Sequence, residues 1–470
     1  MTRRKPCLLT LMVCAPLAAG AEPPAVESDP VLASLVSESL EKNPEYARAR
    51  AELAAERERI PQAGALGDPT LTLGIQNDGF QRIEIGNMET SFWQVMVTQP
   101  IPWPGKRGLR EEVARSTASA AEAGLERIRL TTVAEVERAY VDLLLVRGQL
   151  QLLRDLDVLW KEAEAVARVR YEVGAVPQSD LIRAQLERTR LLQQRLALDA
   201  SERARVQALN RLRVHPLDEP IETPRRISEV GTPPLPSVEE AFADAERRSP
   251  DLAQARTSVT TAERSVSLAR RERYPDFTVS AGIMPRGGLD PMWTASVGVS
   301  LPIFASRKQF RAVAENESRR EATTQGAESI RQILLLRTRD RLAVLDALLK
   351  TIRLYREGLL IQSDTAVRST TAQYRVGKET FASVIEVMRG FIADEGGYLD
   401  ALAQAQRVAI AQRELSLDPA PDVGGGAGGG AGMSGRSASA SGGMGARSPV
   451  SSGGAPELSA SQPASGGGGM

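Results

Sequence analysis

The sequence predicts a mostly α-helical fold with a small membrane-type β component, built twice from one order of parts. Three observations predict it. Long tracts consist of Ala, Leu, Glu, Arg and Gln; four short segments alternate apolar with small polar residues; and prolines mark an internal repeat. Hydrophobic residues make up 42% of the 470 but aromatics only 4%, a mixture that favours long helices over a compact mixed core. Lys plus Arg and Asp plus Glu each number 59, so no net basic field exists for nucleic acid, which is not an expected partner.

The N-terminus reads as an export signal. MTRRKP supplies a positive start, and CLLTLMVCAPLA an apolar run too short to cross a bilayer. Ala19-Gly20-Ala21 offers a cleavage site before Glu22, so residues 1–21 are expected to be a signal peptide. Lipidation at Cys14 is the rival reading. It is disfavoured because Val13 stands where such a cysteine follows a small residue. Cys7 and Cys14 both lie in this segment, so cleavage leaves no disulfide or thiol chemistry. No later stretch is apolar for long enough to form a membrane helix.

The repeat emerges from the prolines. KNPEYARARAELAAERERI around Pro44 returns as RSPDLAQARTSVTTAERSV around Pro250. GDPTLTLGIQ around Pro69 returns as RYPDFTVSAG around Pro275, at the same spacing. TQPIPWPGKRG matches SLPIFASRKQF, and Tyr-x-Val-Gly occurs in both halves. The expected organisation is a first repeat over 22–213, a Pro-rich linker over 214–237 and a second repeat over 238–419. A Gly/Ser/Ala tail, 420–470, buries too little to order itself.

Each repeat opens with a helix, expected over 31–62 and 238–273, with N-caps from SDP and LPS. Two strands follow. Leu71, Leu73 and Ile75 alternate with Thr70, Thr72, Gly74 and Gln76; Trp93, Val95 and Val97 alternate with Gln94, Met96 and Thr98. In the second repeat Phe277, Val279, Ala281 and Ile283 alternate with small polar residues, as do Trp293, Ala295, Val297, Val299 and Leu301. An ordinary half-buried hairpin would show Lys and Glu on its wet face; here that face is Thr, Ser, Gly and Gln. The strands also have the length of tilted membrane strands, about 9–11 residues. Trp93 and Trp293 sit near the expected strand starts, where an aromatic girdle would lie.

Very long helices come next, expected over 106–171 and 308–374, each about 100 Å at 1.5 Å per residue. Val136, Leu143 and Leu150 form one heptad line; Val146, Leu153, Trp160 and Ala167 form another. Two seams on one helix imply packed neighbours on both sides. The chain then turns at Gly174 and Gly377, αL-tolerant positions just past a last helical turn, and returns in helices over 179–213 and 381–415. Pro177 and Thr380 lie near the restarts.

Four membrane strands cannot close on themselves, and an open edge in lipid costs several kcal/mol per unpaired group. Strands must therefore be shared: two copies give eight, with a filled interior, and three give twelve, with room for a channel. This order of helix, hairpin, long helix and tip, given twice, is similar to the TolC family of outer-membrane efflux channels. Its carriers are YEVGAVPQSDLIRAQ, YRVGKETFASVIEV and QPIPWPGKRG. The resemblance implies a homotrimer with a twelve-stranded barrel in outer-membrane lipid and a long periplasmic α-helical tunnel. It further implies a periplasmic adaptor and an inner-membrane pump of the resistance-nodulation-division type as partners. QPIPWPGKR looks like the subset that serves heavy-metal cation pumps. By the same resemblance the tips dock the adaptor through Val173, Gly174, Val376 and Gly377. Inward acids beyond the tips, here Asp180 and Glu386, would close the periplasmic aperture. Ser383 departs from the family where many relatives carry another acid. Asp180 can also be read as a residue serving its own helix dipole, and Glu386 as part of a solvated face.

No catalytic set is present, so an enzyme is not expected, nor is a cofactor. His215 is the single histidine and precedes Pro216 in the linker. Gly424, Gly426 and Gly429 match G-x-G-x-x-G but lack a preceding strand. PGKRG is expected to turn the chain from strand to helix with Lys106 and Arg107 at the membrane boundary; ERERI and LERTRLLQQRL read as charged helix faces. Met88, Met96, Met284, Met292, Met433, Met444 and Met470 could act as soft ligands, though scattered methionines are usually ordinary side chains. The alternative reading is a soluble periplasmic coiled-coil scaffold or adaptor, which accounts for the helices but not for the two-faced strands.

Overall fold

The computed structural model describes residues 29–419. The expected signal peptide with Cys7 and Cys14, and the tail with its glycine run and Met433, Met444 and Met470, lie outside the described residues. Prolines set the first boundaries. The helix expected over 31–62 is instead two, α1 (Pro30–Lys42) and α2 (Pro44–Gly64), because Pro44 drives Asn43 out of the helical region. Asn43 Oδ1 accepts the Glu45 N–H at 2.8 Å, so one residue ends α1 and caps α2. The linker holds a 3-10 turn, Ile227–Glu229, and the second half opens with α5 (Val238–Arg248) and α6 (Pro250–Arg271). Here the expected 238–273 helix is likewise divided, at Ser249 before Pro250. Asp29 caps α1, and Ser237 forms a reciprocal capping box with Glu240 at the start of α5.

Strands β1 (Thr70–Gln76), β2 (Phe92–Ile101), β3 (Asp276–Arg286) and β4 (Leu289–Ser300) form one antiparallel sheet in the order β1-β2-β3-β4. The two hairpins therefore meet along β2 and β3. Register pairs Leu71 with Val97, Val97 with Ala281 and Ala281 with Ala295. Because strand side chains alternate, this places the apolar sets of all four strands on one face and the Thr, Ser, Gly and Gln residues on the other. β4 begins at Leu289, ahead of the expected start at Trp293, because Gly287 at φ +63° lets the connection close tightly. Trp93 stands near the start of β2, whereas Trp293 lies inside β4; the latter is 79% exposed.

α3 (Lys106–Glu172) has 67 residues, about 100 Å of helix, and α4 (Gln178–Leu212) returns beside it. The second outgoing path is α7 (Gln309–Leu354), a π turn (Tyr355–Leu359) and α8 (Leu360–Arg375), followed by α9 (Phe381–Glu414). The π turn interrupts the single helix expected there. It sets Tyr355 against Gly397, where any Cβ would collide with the phenol oxygen. All seven heptad residues of α3 are buried, with Trp160 only 1% exposed. Around Leu143 and Leu144 they pack with α1, α9 and the linker, whose Ile221, Ile227 and Val230 are core residues. Around Trp160 they pack with α4, α8 and α9. Among the described residues no helix is long and apolar enough to cross a membrane.

Candidate functional site

Both helix tips close by the same backbone chemistry. Gly174 at φ +72° donates to Tyr171 O at 2.9 Å and Ala175 N donates to Arg170 O at 2.8 Å. Gly377 at φ +82° donates to Tyr374 O at 3.1 Å and Lys378 N donates to Gln373 O at 2.9 Å. Each is a Schellman closure, in which the residue past the cap must be left-handed; glycine accepts that at no steric cost. Val173 and Val376 are the cap residues and stand exposed. The restart after the second tip is capped by Thr380 Oγ1, which accepts the Ser383 N–H at 3.2 Å.

The structure joins the two tips. Arg170, one turn before the first, donates to Tyr374 O at 2.5 Å and lays its guanidinium 4.7 Å from the Tyr374 ring. Tyr374 packs on Phe381 with ring centroids 5.4 Å apart. Asp180, half-buried in the first turn of α4, faces the same group. Burial, and then the Asp180 charge, pushes the Tyr374 phenol above its ordinary value. The Tyr374 hydroxyl is buried without a hydrogen-bond partner among the described residues. Glu386 stands apart, exposed on α9. Neither the Asp180 nor the Glu386 carboxylate forms a hydrogen bond or ion pair with a described residue.

Sequence reasoning missed the charged braces between helices. LERTRLLQQRL is not a plain solvated face, because Glu187 is buried and holds Arg190 at 2.5 Å and Arg389 of α9 at 2.7 Å. Arg188 reaches back to Glu164 of α3 at 2.7 Å and holds that carboxyl below its ordinary value. Glu187–Arg190 is a local pair three residues apart, but Arg188–Glu164 and Glu187–Arg389 join different helices, the latter from different halves, so no local spacing announces those two.

The strand-to-helix passage also differs from expectation at Lys106. Gly105 turns the chain at φ +91°, and Arg107 is exposed with Nε on Gly64 O at 2.7 Å. Lys106, however, is an internal brace whose side chain is 4% exposed; Nζ donates to Asp276 Oδ1 and Tyr274 O, each at 2.8 Å. The start of β3 lies directly beneath α3, so the ammonium meets a carboxylate before it meets solvent. On the small polar face of the sheet, Met284 pairs with Met292 and Met96 with Gly282. Among the described residues no group of three or more His, Cys, Asp or Glu is placed to hold a metal ion. His215 lies 2.9 Å from both Lys42 Nζ and Glu219 Oε2 in the linker.

Known proteins share this architecture. The outer-membrane channel OprN superposes with a TM-score of 0.72 over 84% of this chain and 92% of its own, at 18% identity. CusC gives 0.70 over 82% and 92%, and VceC of Vibrio cholerae 0.68 over 82% and 96%, both at 18% identity. At such identities the likeness is one of fold. Nodulation protein T of Rhizobium leguminosarum bv. trifolii is 22% identical over 408 residues, 80% of this chain and 83% of that protein. The sequence profile described as outer membrane efflux protein matches residues 35–214 and 242–416, covering most of both halves; the chain belongs to that family.

Proposed function

We propose that the chain is the exit duct of a tripartite efflux system in the outer membrane of a Gram-negative bacterium. Three copies would give a twelve-stranded barrel continued by an α-helical tunnel in the periplasm. The carrying observation is the sheet: one face apolar across all four strands, the other small and polar, with β1 and β4 unpaired at its edges among the described residues. Such edges are satisfied in lipid only by closing a barrel. The tips, with Val173, Gly174, Val376 and Gly377, meet a periplasmic adaptor, which couples the duct to an inner-membrane pump of the resistance-nodulation-division type. Asp180 and Glu386, whose carboxylates have no hydrogen-bond or ion-pair partner among the described residues, supply rings of carboxylate at the aperture that favour cations. Heavy-metal cations are the cargo this favours, with Met96, Met284 and Met292 as soft groups along the pore face.

Planar-bilayer recording tests the duct and its gate together. The purified chain should run as a trimer in detergent and conduct, and D180A/E386A should raise conductance and lower cation selectivity. An unchanged double variant removes the gate assignment; a monomer soluble without detergent removes the duct. Deleting the gene should sensitise cells to copper, silver, zinc or cadmium salts; sensitivity to organic drugs alone would overturn the cargo class.

A further inference from the structure

The internal repeat is a template for what the free sheet edges meet. Within one chain, the passage leaving β2 is received by the start of β3. Trp103 stacks on Tyr274 and Phe277 at 5.3 and 5.6 Å, and its backbone N–H donates to Asp276 Oδ1 at 2.8 Å. Lys106 Nζ completes the junction on Asp276 and the Tyr274 carbonyl. The passage leaving β4 has no such receiver among the described residues. Ile303 is 81% exposed, Phe304 and Lys308 are also exposed, and no side-chain hydrogen bond or ion pair reaches Lys308. At the opposite edge of the sheet Asp68, Thr70 and Leu71 are exposed, and the Asp68 carboxylate is equally without a partner among the described residues.

The two hairpins share one register, which makes the transposition definite. Leu71 pairs with Val97 in the first and Phe277 with Val299 in the second. Phe277 is thus the counterpart of Leu71, Ala281 of Ile75, and Val299 of Val97. Continuing along the matched passages, Ile303 is the counterpart of Ile101 and Lys308 of Lys106. At the internal junction Val97 pairs with Ala281 and Ile101 with Phe277.

Resting on the multi-copy reading above, we propose that the seam between subunits repeats this internal junction. Val299 pairs with Ile75 of the neighbouring copy, and Ile303 with its Leu71. Lys308 is held by the neighbour's Asp68 carboxylate and Thr70 hydroxyl, which stand where Tyr274 and Asp276 receive Lys106. The carboxylate has changed position between the halves, but the cation and its charge partner remain. Apolar area left open at Ile303, Phe304 and Leu71 is covered by the same step. An ion pair next to an edge strand also selects one register over its slipped alternatives, because a slip separates the charges.

Cysteine pairs read the register directly. In a chain carrying C7S and C14S, I75C with V299C should join subunits into a covalent trimer under mild oxidation, since neighbouring strand partners match disulfide reach. The slipped pairs L73C with V299C and I75C with V297C should not. K308D and D68K should each reduce the fraction of SDS-resistant trimer by about tenfold, three seams being weakened together, and the swap K308D/D68K should recover it. A detergent-stable trimer that cross-links at a slipped pair, or a swap as weak as either single variant, overturns the seam and leaves the trimer standing. The ion pair is also overturned if K308D impairs membrane insertion with trimer stability unchanged, which would place Lys308 on lipid phosphate. A monomer in detergent overturns both readings.

Discussion

Arg170 is the group that ties one tip to the other, so its removal should loosen the tips without touching the rest of the helical wall. R170A deletes a charge-assisted hydrogen bond to Tyr374 O at 2.5 Å and a guanidinium 4.7 Å from the Tyr374 ring. A hydrogen bond to a charged group contributes about 1.5–3 kcal/mol and an exposed cation–π contact about 0.5–1. Arg170 is half-buried, so solvent screening brings the combined loss to about 2 kcal/mol. At 1.4 kcal/mol per factor of ten, that multiplies local opening by about thirty. Amide hydrogen exchange reads this directly: amides of 374–378 should exchange about thirtyfold faster, while those around Leu143 stay unchanged. R170K, which keeps the charge but loses the planar fork, should fall between the two. If R170A accelerates tip exchange by less than about threefold, the tips are held by Tyr374–Phe381 packing instead, and the reasoning fails.

Other perturbations follow from single contacts. K106M removes the buried ammonium over Asp276, whose own side chain is 42% exposed; the loss should be about 2 kcal/mol, below that of a fully buried pair, and visible in urea unfolding. G282A would place a Cβ 2.7 Å from the Val95 carbonyl oxygen; the β2–β3 junction should open, and heat-resistant assembly on gels should be lost. W160A empties a 1% exposed site packed by α4, α8 and α9 and should cost about 3–5 kcal/mol in denaturant titration. Burial, followed by repulsion from Asp364, Asp155 and Asp394, holds Glu395 above its ordinary carboxyl value of 4.5. For a raised folded value, stability is full below the unfolded value and is lost as pH rises through the folded one. E395Q should therefore melt above the native chain at about pH 7.5 and together with it at about pH 4; a gap that persists at low pH contradicts the assignment.

Much of this architecture was legible because its causes are local. Strand alternation, the heptads around Leu143 and Trp160, and the glycine turns at Gly174 and Gly377 all follow from covalent geometry within a few residues. The divisions at Asn43 and Ser249 were equally local. The residue before a proline is pushed out of the helix, and KNP and RSP carried that message although the apolar pattern ran on through them. At the tips, sequence placed Val173, Gly174, Val376 and Gly377 at the turns but did not reveal that Arg170 binds Tyr374 across them. Nor could it show Asp180 near that tyrosine and Glu386 apart from it.

By itself, then, the sequence determined the helical tracts, the two-faced strands and their duplication, since periodicity and turn chemistry act along the chain; the family came from the likeness of its tip and strand-to-helix motifs to known channels. Only the tertiary structure decided that β2 lies against β3, that Lys106 is buried on Asp276, and that Glu187 braces Arg389. Those pairings depend on which faces meet across long stretches of chain. A charged residue carries no local mark of whether it will meet water or an opposite charge.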